Sequence, residues 1–414
     1  MTASAVLDEA AIARIQSRTV RTLAVGQVLG GIAFGATVSL GALLAKDITG
    51  QDALSGFATA FVTLGAAVAA IPLARLAARQ GRRIALTLGN LLALIGIVIV
   101  ISAASSATFW LFLIGVVLIG TGNAGNLQSR FAATDLATPA RRGRELSVVV
   151  WATTVGAVAG PLLLGPGEAL GRSLGMPVHT GSYLFSLAAQ VAAFLLYIIA
   201  LRPDPLRIAQ QRDADAPATA VGASVDRPRV ARYAIFAVAA SHTVMASVMA
   251  MTPVHLQHMT MGDATVIVGI TIAAHVAGMY GLSPVFGWLS DRFGRVAVIL
   301  LGQLLLAGAL VAAFVGSASH AGVLIALILL GLGWSAATVA GSTLLTEASS
   351  LERRPRRQGL SDSLMSLCAG VGAILAGLVL QAVEYRGLAV VALVLVIAVT
   401  AVSPFALRVR DPQA

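Results

Sequence analysis

Gly287-Trp288-Leu289-Ser290-Asp291-Arg292-Phe293-Gly294-Arg295 is a short charged turn between two long apolar runs, 264–289 and 296–316. Each run is long enough to cross a bilayer, which takes about 20 apolar residues as a helix. Working outward, the same alternation of apolar runs and short polar turns fills the chain. Spans are expected near 20–45, 53–76, 84–104, 108–130, 146–167 and 181–201, then 232–254, 264–289, 296–316, 321–347, 359–382 and 388–407. Of the 414 residues, 57% are hydrophobic and 11% charged, whereas a soluble chain carries about 25% charged residues. The expected fold class is therefore an all-α membrane protein with twelve transmembrane helices.

The basic residues orient it. With the N-terminus inside, successive cytoplasmic segments hold 3, 4, 4, 6, 2, 4 and 2 Lys or Arg, which is 25 of 28. Only Lys46, Arg172 and Arg386 are left outside. An excess of basic residues in short loops marks the cytoplasmic side, so both termini are expected there, in a multi-pass protein of a bacterial cytoplasmic (inner) membrane. That rule accounts for the net charge of +10, so the charge argues for no nucleic-acid partner. Residues 1–19 are mixed and polar, and no cleavable signal peptide is expected. Cys368 stands alone, which excludes an intrachain disulfide and a Cys-only metal site.

The twelve spans divide six and six. Residues 1–201 read as one bundle, 232–414 as a second, and 202–231 as a cytoplasmic linker rich in Arg, Asp, Ala and Pro, with room for a short helix at its start. The halves echo each other. Gly120-Thr-Gly122 matches Gly331-Leu-Gly333, Asp135 with the Arg residues after it matches Glu347, and Gly81-Arg82 matches Gly294-Arg295, at shifts of 211, 212 and 213 residues. A parallel repeat of this kind implies two bundles around a central cavity that opens alternately to each side.

Gly287, Asp291, Arg292, Gly294 and Arg295 match the G-x-x-x-D-R-x-G-R signature of the major facilitator superfamily, which the chain resembles over nearly its whole length. The resemblance implies the major facilitator fold of two six-helix bundles related by a pseudo-two-fold axis. It also implies a cytoplasmic gate built by Asp291, Arg292 and Arg295, with Asp135 and Glu347 pairing nearby Arg residues. In the N-terminal copy the signature has decayed to Ala74, Ala78, Arg79, Gly81, Arg82 and Arg83. Gly156-x-x-x-Gly160-Pro161 resembles part of a motif associated with antiporters, but small residues at this spacing also let helices pack closely. The superfamily's fourth-span Arg, expected near Val116, is missing.

Six of the nine methionines and four of the six histidines fall between His242 and Met279. Met245-x-x-x-Met249 and His275-x-x-x-Met279 each put two soft donors one turn apart on a helix. At about 1.5 Å per residue all four lie within about 9 Å of mid-span, where transporters of this architecture hold substrate. Thioether and imidazole ligands suit Cu(I). His242 extends the ladder inward, and His255, His258, Met259 and Met261 supply an outer collection site. The two motifs are similar to those marking the CcoA-like bacterial copper importers, and Met251-Thr-Pro253-Val-His255 and Gly278-Met279-Tyr-Gly281-Leu-Ser-Pro284 also look like that group. The resemblance implies import of copper as cargo, with no resident cofactor, to a cytoplasmic acceptor that the chain does not identify.

Two other cargoes compete. A proton-coupled drug exporter would use a titratable group within the cavity, but Asp47, Asp52, Asp135, Glu145, Glu347 and Asp362 all fall at span ends, leaving His242 or His275. A vitamin importer for a flavin would want aromatic and amide partners, for which Trp151, Trp334, Gln27, Asn90, Asn123, Asn126 and Gln190 are available. An enzyme is not expected, since no phosphate-binding loop or Ser/His/Asp grouping is present. A copper-sensing receptor would need an output domain, and none is evident.

Overall fold

A computed structural model describes residues 8–51, 54, 56–215, 226–259 and 265–407, and every regular element among them is helical. The first part of the chain forms α1 (Glu9–Thr49), α2 (Gly56–Gln80), α3 (Arg82–Ser105), α4 (Phe109–Ala132), α5 (Arg142–Leu162), α6 (Leu164–Ser173) and α7 (Ser182–Ala200). A short α8 (Pro205–Asp215) follows. The second part forms α9 (Pro228–Met259), α10 (Thr265–Tyr280), α11 (Ser283–Phe293), α12 (Arg295–Val315), α13 (His320–Glu347) and α14 (Arg354–Leu407).

Among the described residues, nine helical stretches are long and apolar enough to cross a membrane. One of them, Arg354–Pro404, has 51 residues, about 75 Å of helix at 1.5 Å per residue, far more than one bilayer. Non-helical backbone at Val383 and Glu384 divides it into two crossings. With α1 and α5 the twelve expected spans are accounted for. The eighth is itself broken between α10 and α11, where Pro284 stands at the start of the second piece. Proline lacks an N–H donor and disfavours helix in the residue before it, so the interruption is local chemistry.

The molecule is apolar on the outside as well as within. Trp110, Leu162, Leu304, Val315 and Ile374 are each more than two-thirds exposed, as expected of side chains that meet lipid. Inside the first set of helices Leu44, Ile97, Phe112 and Val116 are buried together, and inside the second set Val244, Leu306, Leu327 and Leu330 are. The repeat is visible in the backbone. Gly81 before α3 and Gly294 before α12 have φ of +95° and +94°, a region that residues with a Cβ rarely enter. Each turn therefore needs its glycine.

The two most extensive crossings between the sets are α2 against α14 and α5 against α11. At the second, a Cβ added to Gly287 would lie 2.6 Å from the Gly143 carbonyl oxygen and closer still to the Ser147 hydroxyl. Gly156 packs face to face with Gly31 of α1, where a Cβ would come within 2.8 Å of the Gly31 Cα. Close packing is thus what the Gly156-x-x-x-Gly160 spacing does at its first position. Between the sets, α8 lies against the first one with Leu206, Ile208 and Ala209 buried.

Candidate functional site

The face that carries the α4–α5 and α11–α12 turns is closed by polar links between the two sets of helices. Asp291, at the end of α11, accepts hydrogen bonds from the Gly143 and Arg144 backbone N–H groups, both at 2.9 Å. These are orphan donors in the first turn of α5, where the helix dipole favours an anion. Asp291 also pairs with Arg295 at 2.7 Å, and Arg295 reaches Glu347 at 2.8 Å and the Pro139 carbonyl at 2.8 Å. Asp291 and Glu347 together compensate the charge of the largely buried Arg295. Gly294 makes the turn between α11 and α12, and Arg292 is exposed.

The equivalent corner of the first set is built differently. Ala78 stands where the repeat would place the counterpart of Asp291, and Gly359 of α14 packs directly on Ala74. Arg82 makes the polar link instead. It donates to Asp135 at 2.8 and 3.1 Å and crosses to the Gln358 side-chain oxygen of α14 at 2.6 Å. Asp135 and Glu347 therefore hold equivalent arginines, Arg82 and Arg295.

Above this floor lies a cavity of about 640 Å³ between the two sets. One wall is aromatic. The Trp334 indole N–H donates to His242 Nδ1 at 2.6 Å, and Tyr280 meets Trp334 edge-on at 5.6 Å between ring centroids. Because indole is only a donor, neutral His242 carries its proton on Nε2. The opposite wall is amide and hydroxyl: Gln27, Asn123, Asn126 and Thr153, with Gln27 donating to Thr153 at 3.0 Å. Arg130 of α4 forms part of the base and pairs with Asp362 of α14 at 2.5 Å.

The candidate soft ligands stand apart from this cavity, apart from His242. Met245 and Met279 are buried in one apolar cluster with Leu306, Leu330 and Trp334, and Met249 packs against it. His275 is fully buried. Its Nδ1–H donates to the Leu327 carbonyl at 2.8 Å, while its Nε2 has no hydrogen-bond partner. None of Met245, Met249, His275 and Met279 lines the cavity. His255 donates from Nε2 to the Ser317 carbonyl at 2.8 Å and stacks on Tyr385 with centroids 4.1 Å apart. His258 is exposed, Met259 is half-buried, and Met261 lies outside the described residues. Among the described residues no group of three His, Cys, Asp or Glu could hold a metal ion.

Of the aromatic and amide residues singled out in the sequence, Gln27, Asn123, Asn126 and Trp334 meet at the cavity. Asn90 and Gln190 instead bond to each other at 2.7 Å, and Trp151 is exposed. Asp362 stands near the start of its span, as expected, and it is fully buried and faces Arg130 across the boundary between the sets. Opposite charges on two apolar spans, one in each half, were the signal for this pair.

The Major Facilitator Superfamily family model matches the chain over residues 23–282 and 263–414. The chain belongs to the major facilitator superfamily. It is 35% identical over 388 residues to the uncharacterized MFS-type transporter YddS of Bacillus subtilis, covering 91% of this chain and 88% of that one. It is 28% identical over 390 residues to the riboflavin transporter RfnT of Brucella anthropi, covering 92% and 94%. Among solved structures it resembles the human organic anion transporter MFSD10, with a TM-score of 0.71, 17% identity, and 94% and 99% of the two chains covered. The superfamily fold and a transport function follow from these matches.

Proposed function

We propose that this superfamily transporter imports a small planar organic solute, of the size and hydrogen-bonding character of a flavin, through the central cavity. The face carrying the α4–α5 and α11–α12 turns is taken as cytoplasmic, in keeping with its Arg content. The observation that carries the reading is the cavity itself. Its volume of about 640 Å³ is in the range of pockets that enclose drug-sized ligands. His242, Tyr280 and Trp334 offer a stacking wall, and Gln27, Asn123 and Asn126 face them with amide groups. A planar heteroaromatic ring needs both kinds of partner. The likeness to a riboflavin transporter over nearly the full chain supports the same class of cargo.

Copper remains the second reading, favoured by one specific observation. His275 has its Nδ1–H fixed on a carbonyl and its Nε2 lone pair free, beside the turn that carries Met279. That is how proteins orient a metal-binding imidazole, and Met245, Met249 and Met279 share a neighbouring cluster. For copper to pass, α9 and α10 must turn this cluster toward the cavity.

Growth and metal content separate the two. A bacterial strain unable to make or import riboflavin, carrying this chain, is grown on limiting riboflavin while its copper content is measured. The flavin reading expects growth that is lost in Trp334→Ala and Asn126→Leu and kept in Met245→Ala and His275→Ala. Copper accumulation lost in the latter pair, with no growth on riboflavin, would replace it with the copper reading.

A further inference from the structure

The Arg130–Asp362 pair joins the two sets of helices at the base of the cavity. Asp362 is fully buried and uses one oxygen, Oδ1, to accept from Arg130; its Oδ2 is buried with no hydrogen-bond partner. Arg130 is 4% exposed, and its Nε is likewise without a partner. Arg130 lines the cavity, and Asp362 lies one turn below Met365 and Ser366, which line it too. A buried carboxylate whose one cationic partner sits on the other set of helices and lines the cavity makes parting of the two sets depend on its charge, because separation would leave both charges unpaired.

The neighbours restrict which group does this. Besides Arg130 on α4, the charge acting on Asp362 is Arg82 on α3, itself held by Asp135. From α2 the nearest links are backbone: Ser363 donates to the Ala67 carbonyl, and Gly359 packs on Ala74 and Ala70. From α9 and α10 the titratable groups at the cavity are His242 and Tyr280, and from α13 the facing residues are Trp334 and Thr338. Among the described residues lining the cavity there is no carboxylate. Asp362 reaches the cavity through its pairing with the lining residue Arg130.

We propose that Asp362 is the proton-binding site that couples opening of the floor to the proton gradient. While Asp362 is ionised, separating α4 from α14 would strand two opposite charges in a region shielded from water, so the floor stays shut. A proton from cavity water adds to the free Oδ2 lone pair and makes the neutral acid. Arg130 keeps its charge and turns to the cavity, and the halves can part. On the other side the proton leaves to water, the carboxylate re-forms, and pairing with Arg130 closes the floor again. One proton crosses per cycle, in the direction of the cargo. Within the transport reading above, this makes the protein a symporter.

The test needs no cargo, so its outcome is independent of whether the flavin reading holds. Spin labels are placed at Gln80→Cys and Arg356→Cys, exposed positions on either side of the α2–α14 crossing, in a Cys368→Ala background. Distances are measured in lipid nanodiscs from pH 8 to pH 5. The native chain should show a growing population with the labels further apart, its open-to-closed ratio rising up to about tenfold per unit fall in pH, the limit for one proton. Asp362→Asn should hold the open population at every pH. Asp362→Glu, which keeps the charge, should still titrate, with a displaced midpoint. His242→Gln should titrate like the native chain. A native chain insensitive to pH would overturn the proposal. So would Asp362→Asn or Asp362→Glu titrating with the native midpoint, or loss of the response in His242→Gln.

Discussion

Replacing Asp291 by Asn removes a charge from the closed floor while barely changing its shape. Asp291 holds α5 through two charge-assisted hydrogen bonds, 2.9 Å each, to the Gly143 and Arg144 N–H groups. Bonds to a charged acceptor contribute about 1.5–3 kcal/mol each after exchange with water. Asn keeps one acceptor oxygen, now neutral and worth about 1 kcal/mol, and its NH₂ group cannot accept the second bond. Arg295 keeps Glu347 whether the floor is open or shut, so its contribution largely cancels. The net loss to the closed state is about 2–5 kcal/mol, or a rise of about 30-fold to 5000-fold in the open-to-closed ratio. The Gln80/Arg356 spin-label pair reads this at fixed neutral pH, at the crossing opposite the altered clamp. A ratio that changes less than about threefold would mean that the two hydrogen bonds do not hold the halves together.

Gly287→Val should do the reverse of a simple stability loss. Its Cβ would sit 2.6 Å from the Gly143 carbonyl, so the protein should stay folded by circular dichroism yet be unable to populate the short Gln80–Arg356 distance. Trp334→Phe keeps the stacking surface but removes the hydrogen bond to His242; a net value of about 1 kcal/mol corresponds to roughly fivefold weaker cargo binding by isothermal titration. Asp226 accepts from Arg353 at 2.8 Å, Arg357 at 2.6 and 3.0 Å, and the Ser350 N–H at 3.2 Å. Burial works to raise its pKa, but those hydrogen bonds and charges prevail and hold it below the ordinary 3.8. Its contribution is therefore complete above about pH 5, about one unit over the unfolded value, and fades as pH falls through the depressed value. Asp226→Asn should lower the thermal midpoint in detergent at pH 7, and the difference from the native chain should narrow toward pH 3.

Much of the fold was legible because a bilayer leaves few options. Backbone polar groups must be satisfied within each span, so apolar runs of bilayer length had to be helices, and the Gly81/Gly294 and Asp135/Glu347 echoes gave the repeat. Breaks within runs were harder. The interruption at Gly281–Leu282 lies inside one apolar run and only Pro284 marked it, whereas the fold-back at Val383–Glu384 falls in the gap between 382 and 388 that Glu384 and Arg386 mark. The candidate site was legible in part. Gln27, Asn123, Asn126 and Trp334 could be recognised by side-chain chemistry, but which face each helix turns inward depends on packing across the bundle. The same limit applies to the Met/His window: M-x-x-x-M and H-x-x-x-M fix which residues share a helix face, not which space that face meets. Asp362 and Arg130 looked like span-end charges because hydropathy measures depth along one helix and does not see a partner arriving from the other half.

Titration of the purified protein with riboflavin, followed by flavin fluorescence, tests the cavity most directly as the cargo site. Saturable quenching is expected from the native chain, at least tenfold weaker in Trp334→Ala and Asn126→Leu and unchanged in Met245→Ala and His275→Ala. No quenching by the native chain, together with stoichiometric Cu(I) binding that disappears in His275→Ala, would contradict the cavity assignment and move the cargo path to the Met/His cluster.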